Sequence, residues 1–336
     1  MSEMQNILRP IERDMVEFDK LFRRSLTSTD GLLQQALDYV LQRSGKRMRP
    51  VLVLLMMRHL SGMSSEGCAT LSDKVFYAAS TLELLHTASL VHDDVVDDSN
   101  KRRGQASVNA IFNNKVSVLV GDYILSTALL NASLTDEISI VNVVSALGQQ
   151  LAWGEVEQLQ NISDKNFSLD AYYDVISKKT ASLFCACCEV AAVMAQSSPE
   201  DRQKAIDFGH DIGMIFQIRD DIFDYVSTAE EIGKPVGNDM QEGKLTLPVL
   251  HVLQGDNDNL KYVQEIAHKV RSHEATKEEI AQLVEYTVEN GGLEYAEEVM
   301  DTFYAHALEY INDNVKDVAL AASLRAYLDF VRGRKN

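Results

Sequence analysis

Residues 71–97 have the sequence LSDKVFYAASTLELLHTASLVHDDVVD, in which no proline occurs. They belong to a longer proline-free stretch, residues 51–198, and a second such stretch covers residues 249–336. Proline removes a backbone N–H and clashes inside a helix, so long stretches that lack it and are rich in Ala, Leu, Glu and Gln favour helix. Strands with a two-residue alternation of apolar and polar side chains are not evident. The sequence therefore predicts an all-α protein, with helices at residues 51–60, 71–97, 106–133, 139–160, 169–196 and 200–227.

The chain shows no repeat, no low-complexity tract and no linker, so we expect a single domain over residues 1–336. Residues 1–25 are predicted to form an amphipathic helix that packs on the rest of the protein, because apolar side chains recur there at helical spacing. They are Leu8, Ile11, Met15, Phe18 and Phe22. The opposite face carries charges of both signs, which favours packing over adsorption to a membrane.

Composition excludes several classes of protein. A hydrophobic content of 46% is too high for a disordered chain, and 50 acidic against 32 basic side chains (net charge −18) argue against nucleic acid as a partner. Four cysteines do not make a disulfide framework, and Cys185, Cys187 and Cys188 are expected to pack an apolar helix rather than bind zinc. No signal peptide and no apolar run of roughly 20 residues is present, so we expect a cytoplasmic protein without a membrane span.

Two aspartate clusters share the spacing D-D-x-x-D. They are Asp93, Asp94 and Asp97 in the first, and Asp220, Asp221 and Asp224 in the second. Residues three or four apart on a helix have Cβ atoms roughly 5–6 Å from each other, so the carboxylates of each cluster can converge. Two carboxylates about 5 Å apart repel by roughly 3 kcal/mol at an effective dielectric of 20, and both clusters stand in apolar sequence. This pattern favours bound divalent cations, several Mg²⁺ ions or Mn²⁺ in their place.

Basic side chains accompany the clusters. Arginine suits multidentate phosphate contacts and lysine acts as a point charge, so we expect two anion sites, one bridged by metal and one free of metal. The candidates are Lys46, Arg47, Arg49, Arg102, Arg103, Lys178, Lys179, Lys234 and Lys244. His86 precedes Asp93 by seven residues and shares its helix face, which favours a role in ligand contact.

Five segments resemble, in order, the signature regions of the trans-isoprenyl diphosphate synthases, or polyprenyl synthetases. The segments are GKRMRP (45–50), ELLHTASLVHDDVVDDSNKRRG (83–104), KKTASLF (178–184), QIRDDIFDY (217–225) and GKPVGNDMQEGKLTLP (233–248). The resemblance implies the isoprenoid synthase fold, an all-α bundle around a deep central cavity, and usually a homodimer.

The resemblance also implies roles for individual residues. The six motif aspartates would hold Mg²⁺ ions that bridge the diphosphate of an allylic substrate, and Arg102, Lys179, Lys234 and Lys244 would add positive charge there. Thr180 and Gln217 would face the developing allylic cation. The diphosphate of isopentenyl diphosphate would be held without metal by Lys46, Arg49, His86 and Arg103. Arg47 and Lys178 receive no role.

The implied reaction is a head-to-tail condensation of isopentenyl diphosphate onto an allylic primer, for which farnesyl diphosphate is expected. In this family a large aromatic residue four or five places before the first Asp stops growth at short products. Those places hold Ser89 and Ala88, which with Leu85 would form the floor of the cavity. We therefore expect a long all-trans product around octaprenyl, as in quinone side chains, and a lipid product could be delivered to a membrane.

Four other functions fit parts of this sequence pattern. A farnesyl or geranylgeranyl diphosphate synthase differs only in product length. A class I terpene cyclase needs no second diphosphate site. A ferritin-like di-metal protein would use the pairs Glu83/His86 and Glu265/His268, but leaves both aspartate clusters unexplained. An inactive partner subunit is disfavoured because every expected catalytic group is present.

Overall fold

The protein is described from a computed structural model that covers residues 3–42, 45–63, 70–102, 104–163, 167–226, 237–255 and 259–334. The predicted all-α class is confirmed. The helices are α1 (Glu3–Leu8), α2 (Glu12–Ser25), α3 (Gly31–Gln42), α4 (Met48–Leu60), α5 (Asp73–Val96), α6 (Val108–Phe112), α7 (Asn114–Leu134), α8 (Ile138–Ser163), α9 (Leu169–Ile176), α10 (Ser182–Met194), α11 (Pro199–Val226), α12 (Asn238–Gln241), α13 (Leu247–Val252), α14 (Leu260–Arg271), α15 (Lys277–Glu289), α16 (Gly292–Asn314) and α17 (Val318–Gly333). A 3₁₀ turn (Arg9–Ile11) joins α1 to α2, and a π-helical turn (Ser177–Ala181) joins α9 to α10.

Three predicted helices are interrupted in the structure. The N-terminal helix contains the 3₁₀ turn around Pro10, and the predicted helix over 169–196 contains the π-helical turn. The predicted helix over 106–133 breaks at Asn113, which has a φ of 72° and whose side chain accepts a hydrogen bond of 3.1 Å from the N–H of Val116. Asparagine tolerates positive φ and is a favoured N-cap, so it ends α6 and begins α7.

The described residues contain one small sheet. Strands β1 (Lys101–Arg102) and β2 (Gln105–Ala106) pair antiparallel, with Arg102 opposite Gln105. The sequence analysis did not predict this hairpin, because two-residue strands are too short to show an alternating pattern.

The chain divides into two compact units, and the expectation of a single domain stays a prediction. Unit 1 contains Met1–Gly148, Leu183–Gly209 and Ile311–Tyr327. Its core includes α4, where every side chain from Val51 to Met56 is fully buried, and α5, which packs along α7 and also contacts α2 and α4. Helices that are apolar on all sides must be enclosed by neighbours, so α4 and α5 lie at the centre of this unit.

Unit 2 contains Gln149–Ser182, His210–Tyr310 and Leu328–Asn336. Its apolar core joins the C-terminal end of α11 to the short helices that follow it. Buried members include Tyr225, Met240, Val249, Ile266 and Leu283.

One helix among the described residues, α7, is long and apolar enough to cross a membrane by length and composition alone. The protein buries 44% of its most apolar 18-residue window, and the core helices of globular proteins meet the same criterion.

Candidate active site

The first aspartate cluster lies at the C-terminal end of α5, in unit 1. Asp94 is 3% exposed, Asp93 is half-buried and Asp97 is exposed. Arg102 lies on β1, and its Nε donates to Asp94 Oδ1 at 2.7 Å. The structure therefore brings together two of the residues that the sequence assigned to one diphosphate. Arg103 lies outside the described residues.

His92, next to Asp93, connects α5 to α7 through its imidazole. Its Nε2 lies 3.2 Å from the carbonyl oxygen of Val118 and 3.4 Å from a carboxylate oxygen of Asp122. A Cβ at Gly121 would lie only 2.2 Å from His92 Nε2, so only glycine leaves room for the imidazole. This contact fixes the rotation of α5 about its axis, and with it the direction of the neighbouring aspartates.

The three aspartates of the second cluster, on α11 in unit 2, have three different environments. Asp221 is 1% exposed and accepts hydrogen bonds from Tyr172 Oη (2.5 Å) and Gln217 Nε2 (2.8 Å). Asp224 accepts from the backbone N–H groups of Asn238 (3.1 Å) and Asp239 (3.0 Å), at the start of α12. Their carboxylates thus hold neighbouring elements in place.

Asp220 is far more accessible than Asp221, with 37% of its side chain exposed. It forms an ion pair with Arg334, one residue beyond α17. The guanidinium carbon of Arg334 also lies 3.6 Å from the centre of the Phe216 ring, a cation–π contact. An arginine therefore lies next to an accessible carboxylate of this cluster.

Burial dominates the acid–base chemistry around Asp221. It raises the pKa of this carboxyl to about 7, the negative charge of Asp239 acts in the same direction, and hydrogen bonds from Tyr172, Gln217 and the Leu247 N–H act against it. Burial also raises the pKa of Tyr172, as does the charge of Asp221. A divalent cation near Asp221 would favour its ionised form.

The π-helical turn carries Lys178, Lys179 and Thr180. Lys179 Nζ lies 2.5 Å from a carboxylate oxygen of Glu155 and 2.7 Å from Gln158 Oε1, and Thr180 Oγ1 donates to Gln217 Oε1 at 2.7 Å. Wide π-helical turns are rare and occur preferentially at functional sites.

Lys178 points to a different set of partners. Its Nζ lies 2.8 Å from both Glu157 carboxylate oxygens and 4.5 Å from the centre of the Trp153 ring. These contacts pair Lys178 with side chains of α8.

A cavity of about 190 Å³ in unit 2 brings together five of the predicted residues, Lys179, Thr180, Gln217, Asp221 and Lys244, but its lining does not include Asp220 or Asp224. Its lining combines two lysines, an arginine, carboxylates and neutral oxygens with apolar side chains. The polar members are Gln158, Ser168, Tyr172, Lys179, Thr180, Gln217, Asp221, Asp239, Lys244, Thr246 and Arg271. Lys234 lies outside the described residues.

The predicted metal-free anion site belongs to unit 1. Lys46 is exposed, Arg49 and His86 are half-buried, and the guanidinium carbon of Arg49 lies 5.7 Å from the centre of the Phe184 ring. Arg47 is buried instead, paired with Asp19 and 4.9 Å from the centre of the Phe22 ring. Burial lowers its pKa. Arg47 therefore contacts α2 through its guanidinium.

The predicted floor residues differ in accessibility. Leu85 is 4% and Ala88 2% exposed, whereas Ser89 is half-buried and its hydroxyl donates to the carbonyl oxygen of His86 at 2.9 Å. Of the three, only Ser89 has appreciable accessible surface.

Among the described residues, no three Asp, Glu, His or Cys side chains converge closely enough to enclose a metal ion by themselves. The motif aspartates nevertheless provide carboxylate oxygens, which are the ligands of hard divalent cations such as Mg²⁺ and Ca²⁺. The donor chemistry therefore fits a divalent cation that completes its coordination with water or with phosphate oxygens.

Comparison with known proteins identifies the family. The family model described as polyprenyl synthetase matches residues 30–286. The chain belongs to the polyprenyl synthetase family. Members of this family are prenyltransferases, and the predicted family and enzyme class are confirmed.

Relatives and solved structures agree with this assignment. The octaprenyl diphosphate synthase of Haemophilus influenzae is 36% identical over 289 residues, which are 85% of this chain and 84% of that protein. Heptaprenyl diphosphate synthase component 2 of Bacillus subtilis is 33% identical over 322 residues (96% and 88%). The crystal structure of geranylgeranyl pyrophosphate synthase from Bacteroides thetaiotaomicron superposes with a TM-score of 0.84 at 43% identity, covering 99% of this chain and 100% of that one.

A polyprenyl synthase from Caulobacter crescentus, crystallised with calcium and isoprenyl diphosphate, superposes with a TM-score of 0.88 at 28% identity and covers 99% of this chain and 98% of that one. A divalent cation and an isoprenyl diphosphate therefore occupy a protein of the same family and fold.

Sequence reasoning missed several residues of this polyprenyl synthetase. Tyr172, Glu155 and Gln158 contact predicted site residues from α9 and α8, far away in sequence, and show no motif of their own. Arg334 was also missed, because a basic residue near the end of a chain is usually a solvated surface group. Gly154 had a detectable signal: a glycine inside a helix costs about 1 kcal/mol relative to alanine and often marks close packing.

Proposed function

We propose that this protein is a Mg²⁺-dependent trans-polyprenyl diphosphate synthase that condenses isopentenyl diphosphate head-to-tail onto an allylic diphosphate. The observation that carries the proposal is the cavity of unit 2. It combines Lys179 and Lys244, which suit a departing diphosphate, with the Thr180–Gln217 pair, which offers neutral oxygens beside them. Such a lining suits a reaction that separates an anion from a carbocation.

Each set of residues has a task in this reaction. The aspartates of both motifs would hold Mg²⁺ (or Mn²⁺), which supplies positive charge to the departing diphosphate. Arg102, Lys179 and Lys244 add positive charge of their own. Lys46, Arg49 and His86 are proposed to orient the isopentenyl diphosphate. Apolar lining residues such as Val175, Ile176 and Leu250 keep water from the cation.

The experiment is incubation of the purified protein with labelled isopentenyl diphosphate and farnesyl diphosphate, with Mg²⁺ and with a chelator. We expect Mg²⁺-dependent formation of a longer allylic diphosphate. Absence of any condensation with Mg²⁺ would refute the proposed function. Chromatography of the product gives its chain length.

We propose a long product, near octaprenyl. Relatives and similar structures carry names that range from geranylgeranyl to decaprenyl, so names alone leave the length open. The support comes from Ser89, a small, half-buried residue four positions before Asp93, where the sequence analysis expects the growing chain.

We also propose a cytoplasmic homodimer. The outer face of α7 exposes Leu119 (66%), Leu130 (59%), Leu129 and Val118, and Ile138 is exposed at the start of α8. Several large apolar side chains exposed on one helix are typical of an interface between protein chains. Sedimentation of the wild type is expected to show a dimer, and Leu119→Glu is expected to shift it towards monomer.

A further inference from the structure

Three hydrogen bonds connect Tyr172 to Thr180 through two intervening side chains. Tyr172 Oη donates to Asp221 Oδ2 at 2.5 Å, and Gln217 Nε2 donates to Asp221 Oδ1 at 2.8 Å. Thr180 Oγ1 donates to Gln217 Oε1 at 2.7 Å. The four residues come from α9, α11 and the π-helical turn, and all of them line the cavity of unit 2.

The carboxylate of Asp221 sets the direction of this chain of hydrogen bonds. It is 1% exposed and receives donors from Tyr172, Gln217 and the backbone N–H of Leu247. Gln217 Nε2 donates to Asp221 Oδ1, so the amide of Gln217 turns its NH₂ group to Asp221. The amide carbonyl then faces Thr180, whose hydroxyl has a single proton to give.

The direction decides what Thr180 presents to the cavity. With its proton committed to Gln217, the Thr180 oxygen has only lone pairs left for a ligand. Lone pairs attract a carbocation, whereas a hydroxyl proton repels it. A dipole that is fixed before the reaction begins stabilises developing charge without reorganisation during the step.

We propose that Asp221 and Tyr172 are positioning residues, which orient Gln217 and Thr180 so that the Thr180 oxygen faces the allylic cation with its lone pairs. This proposal rests on the proposed function and deepens it. Asp221 imposes the direction, and Tyr172 keeps the buried carboxylate from rotating. In this arrangement Asp221 acts on the cation through Gln217 and Thr180.

Asp221→Asn provides a near-isosteric test. The new side chain can accept from Tyr172 and donate its NH₂ to Gln217 Oε1. The Gln217 amide would then flip and donate to Thr180, which turns the Thr180 proton towards the cavity. The substitution is expected to reverse the direction of the hydrogen bonds from residue 221 to Gln217 and from Gln217 to Thr180 without leaving a cavity.

The probe is a pair of saturated prenyl diphosphates that differ at one atom. One carries a tertiary ammonium nitrogen in place of the branched carbon C3, and the other keeps the carbon. Calorimetry in Mg²⁺ gives the ratio of their dissociation constants, in which the shared diphosphate and metal contributions cancel. We expect the wild type to prefer the ammonium compound and Asp221→Asn to lower this preference about tenfold.

A double-mutant cycle separates two effects of Asp221 on the bound cation. One acts through the chain of hydrogen bonds from Asp221 to Thr180 (the relay), and the other is the direct effect of the charge of Asp221. Thr180→Val removes the oxygen on which the relay acts, so Asp221→Asn should lower the preference no further in that background. An equal loss in both backgrounds would show that Asp221 acts by its own charge, and would overturn the proposal. If the wild type binds neither compound, the proposed function itself fails, and the relay fails with it.

Tyr172→Phe keeps every charge and tests whether the Tyr172 hydroxyl holds the Asp221 carboxylate in its orientation. We expect it to lower the preference for the ammonium compound about threefold. Tyr173→Phe is the matched control, because Tyr173 is the next residue and its hydroxyl bonds instead to Tyr295. Equal effects of the two substitutions would refute the anchoring role of Tyr172.

Discussion

Gly154 offers a direct test of how the π-helical turn is held. A Cβ at this position would lie 3.0 Å from the backbone nitrogen of Lys179, 3.1 Å from Lys178 Cβ and 3.3 Å from Lys179 Cβ. Gly154→Ala would therefore push the turn away from α8 by a few tenths of an ångström. Gly148 lies on the same helix, and a Cβ there would meet nothing within 4 Å.

The two substitutions share one energetic contribution and differ in another. Alanine in place of glycine stabilises a helix interior by about 0.5–1 kcal/mol, which applies to both. Overpacking costs about 1–3 kcal/mol, which applies only to Gly154→Ala. Gly148→Ala should therefore raise the free energy of unfolding by about 0.5–1 kcal/mol, whereas Gly154→Ala should lower it by about 0–2.5 kcal/mol.

Gly154→Ala and Gly148→Ala should also differ in their rate of condensation. Displacing Lys179 and Thr180 by tenths of an ångström is expected to lower kcat for condensation about three- to tenfold, since a 1 Å misplacement costs about a hundredfold. Gly148→Ala should keep the wild-type kcat. The measurements are denaturant unfolding and steady-state kinetics on both variants. Equal stabilisation and full activity of both would refute the argument that the turn depends on a missing side chain.

Three further predictions concern the aspartate clusters and the product. Ser89→Phe should shorten the product by at least one five-carbon unit, whereas Ala88→Phe, at a position 2% exposed, should mainly lower stability by about 1–3 kcal/mol through overpacking. Arg334→Gln removes the cation next to Asp220 and should lower the dissociation constant for Mn²⁺ about threefold, measured by calorimetry. The folded pKa of Asp221, about 7, exceeds its ordinary value of 3.8, so the folded state holds the proton more tightly. The metal-free protein should lose stability between about pH 4 and 7, and Asp221→Asn should lose less.

Each of these predictions has a result that contradicts it. Unchanged product length in Ser89→Phe would show that Ser89 does not limit the length of the growing chain. Arg332→Gln removes an arginine that pairs with Asp301 instead, and an equal gain in Mn²⁺ affinity there would attribute the effect to net charge. Melting temperatures in chelator that fall equally in wild type and Asp221→Asn would assign the pH dependence to other groups.

Much of the fold could be predicted because helix leaves a local signal. The proline-free stretches and the apolar spacing placed helices close to α5, α8 and α11, since proline exclusion acts within one turn. The break at Asn113 and the π-helical turn were missed. A single capping side chain decides the first, and close packing against Gly154 accompanies the second, which no window of local sequence reports.

For the candidate site too, some features follow from the sequence and others only from the tertiary structure. The sequence by itself determined which residues are proposed to carry the chemistry, because two D-D-x-x-D motifs and their lysines and arginines are rare as chance patterns and match one family in order. Only the tertiary structure decided what each carboxylate faces: Asp221 the buried hydroxyl of Tyr172, Asp224 the backbone of α12, and Asp220 the guanidinium of Arg334. Identical residues at helical spacing are equivalent in sequence. Their partners come from segments up to 114 residues away, and burial and contact with those segments give each aspartate a different environment.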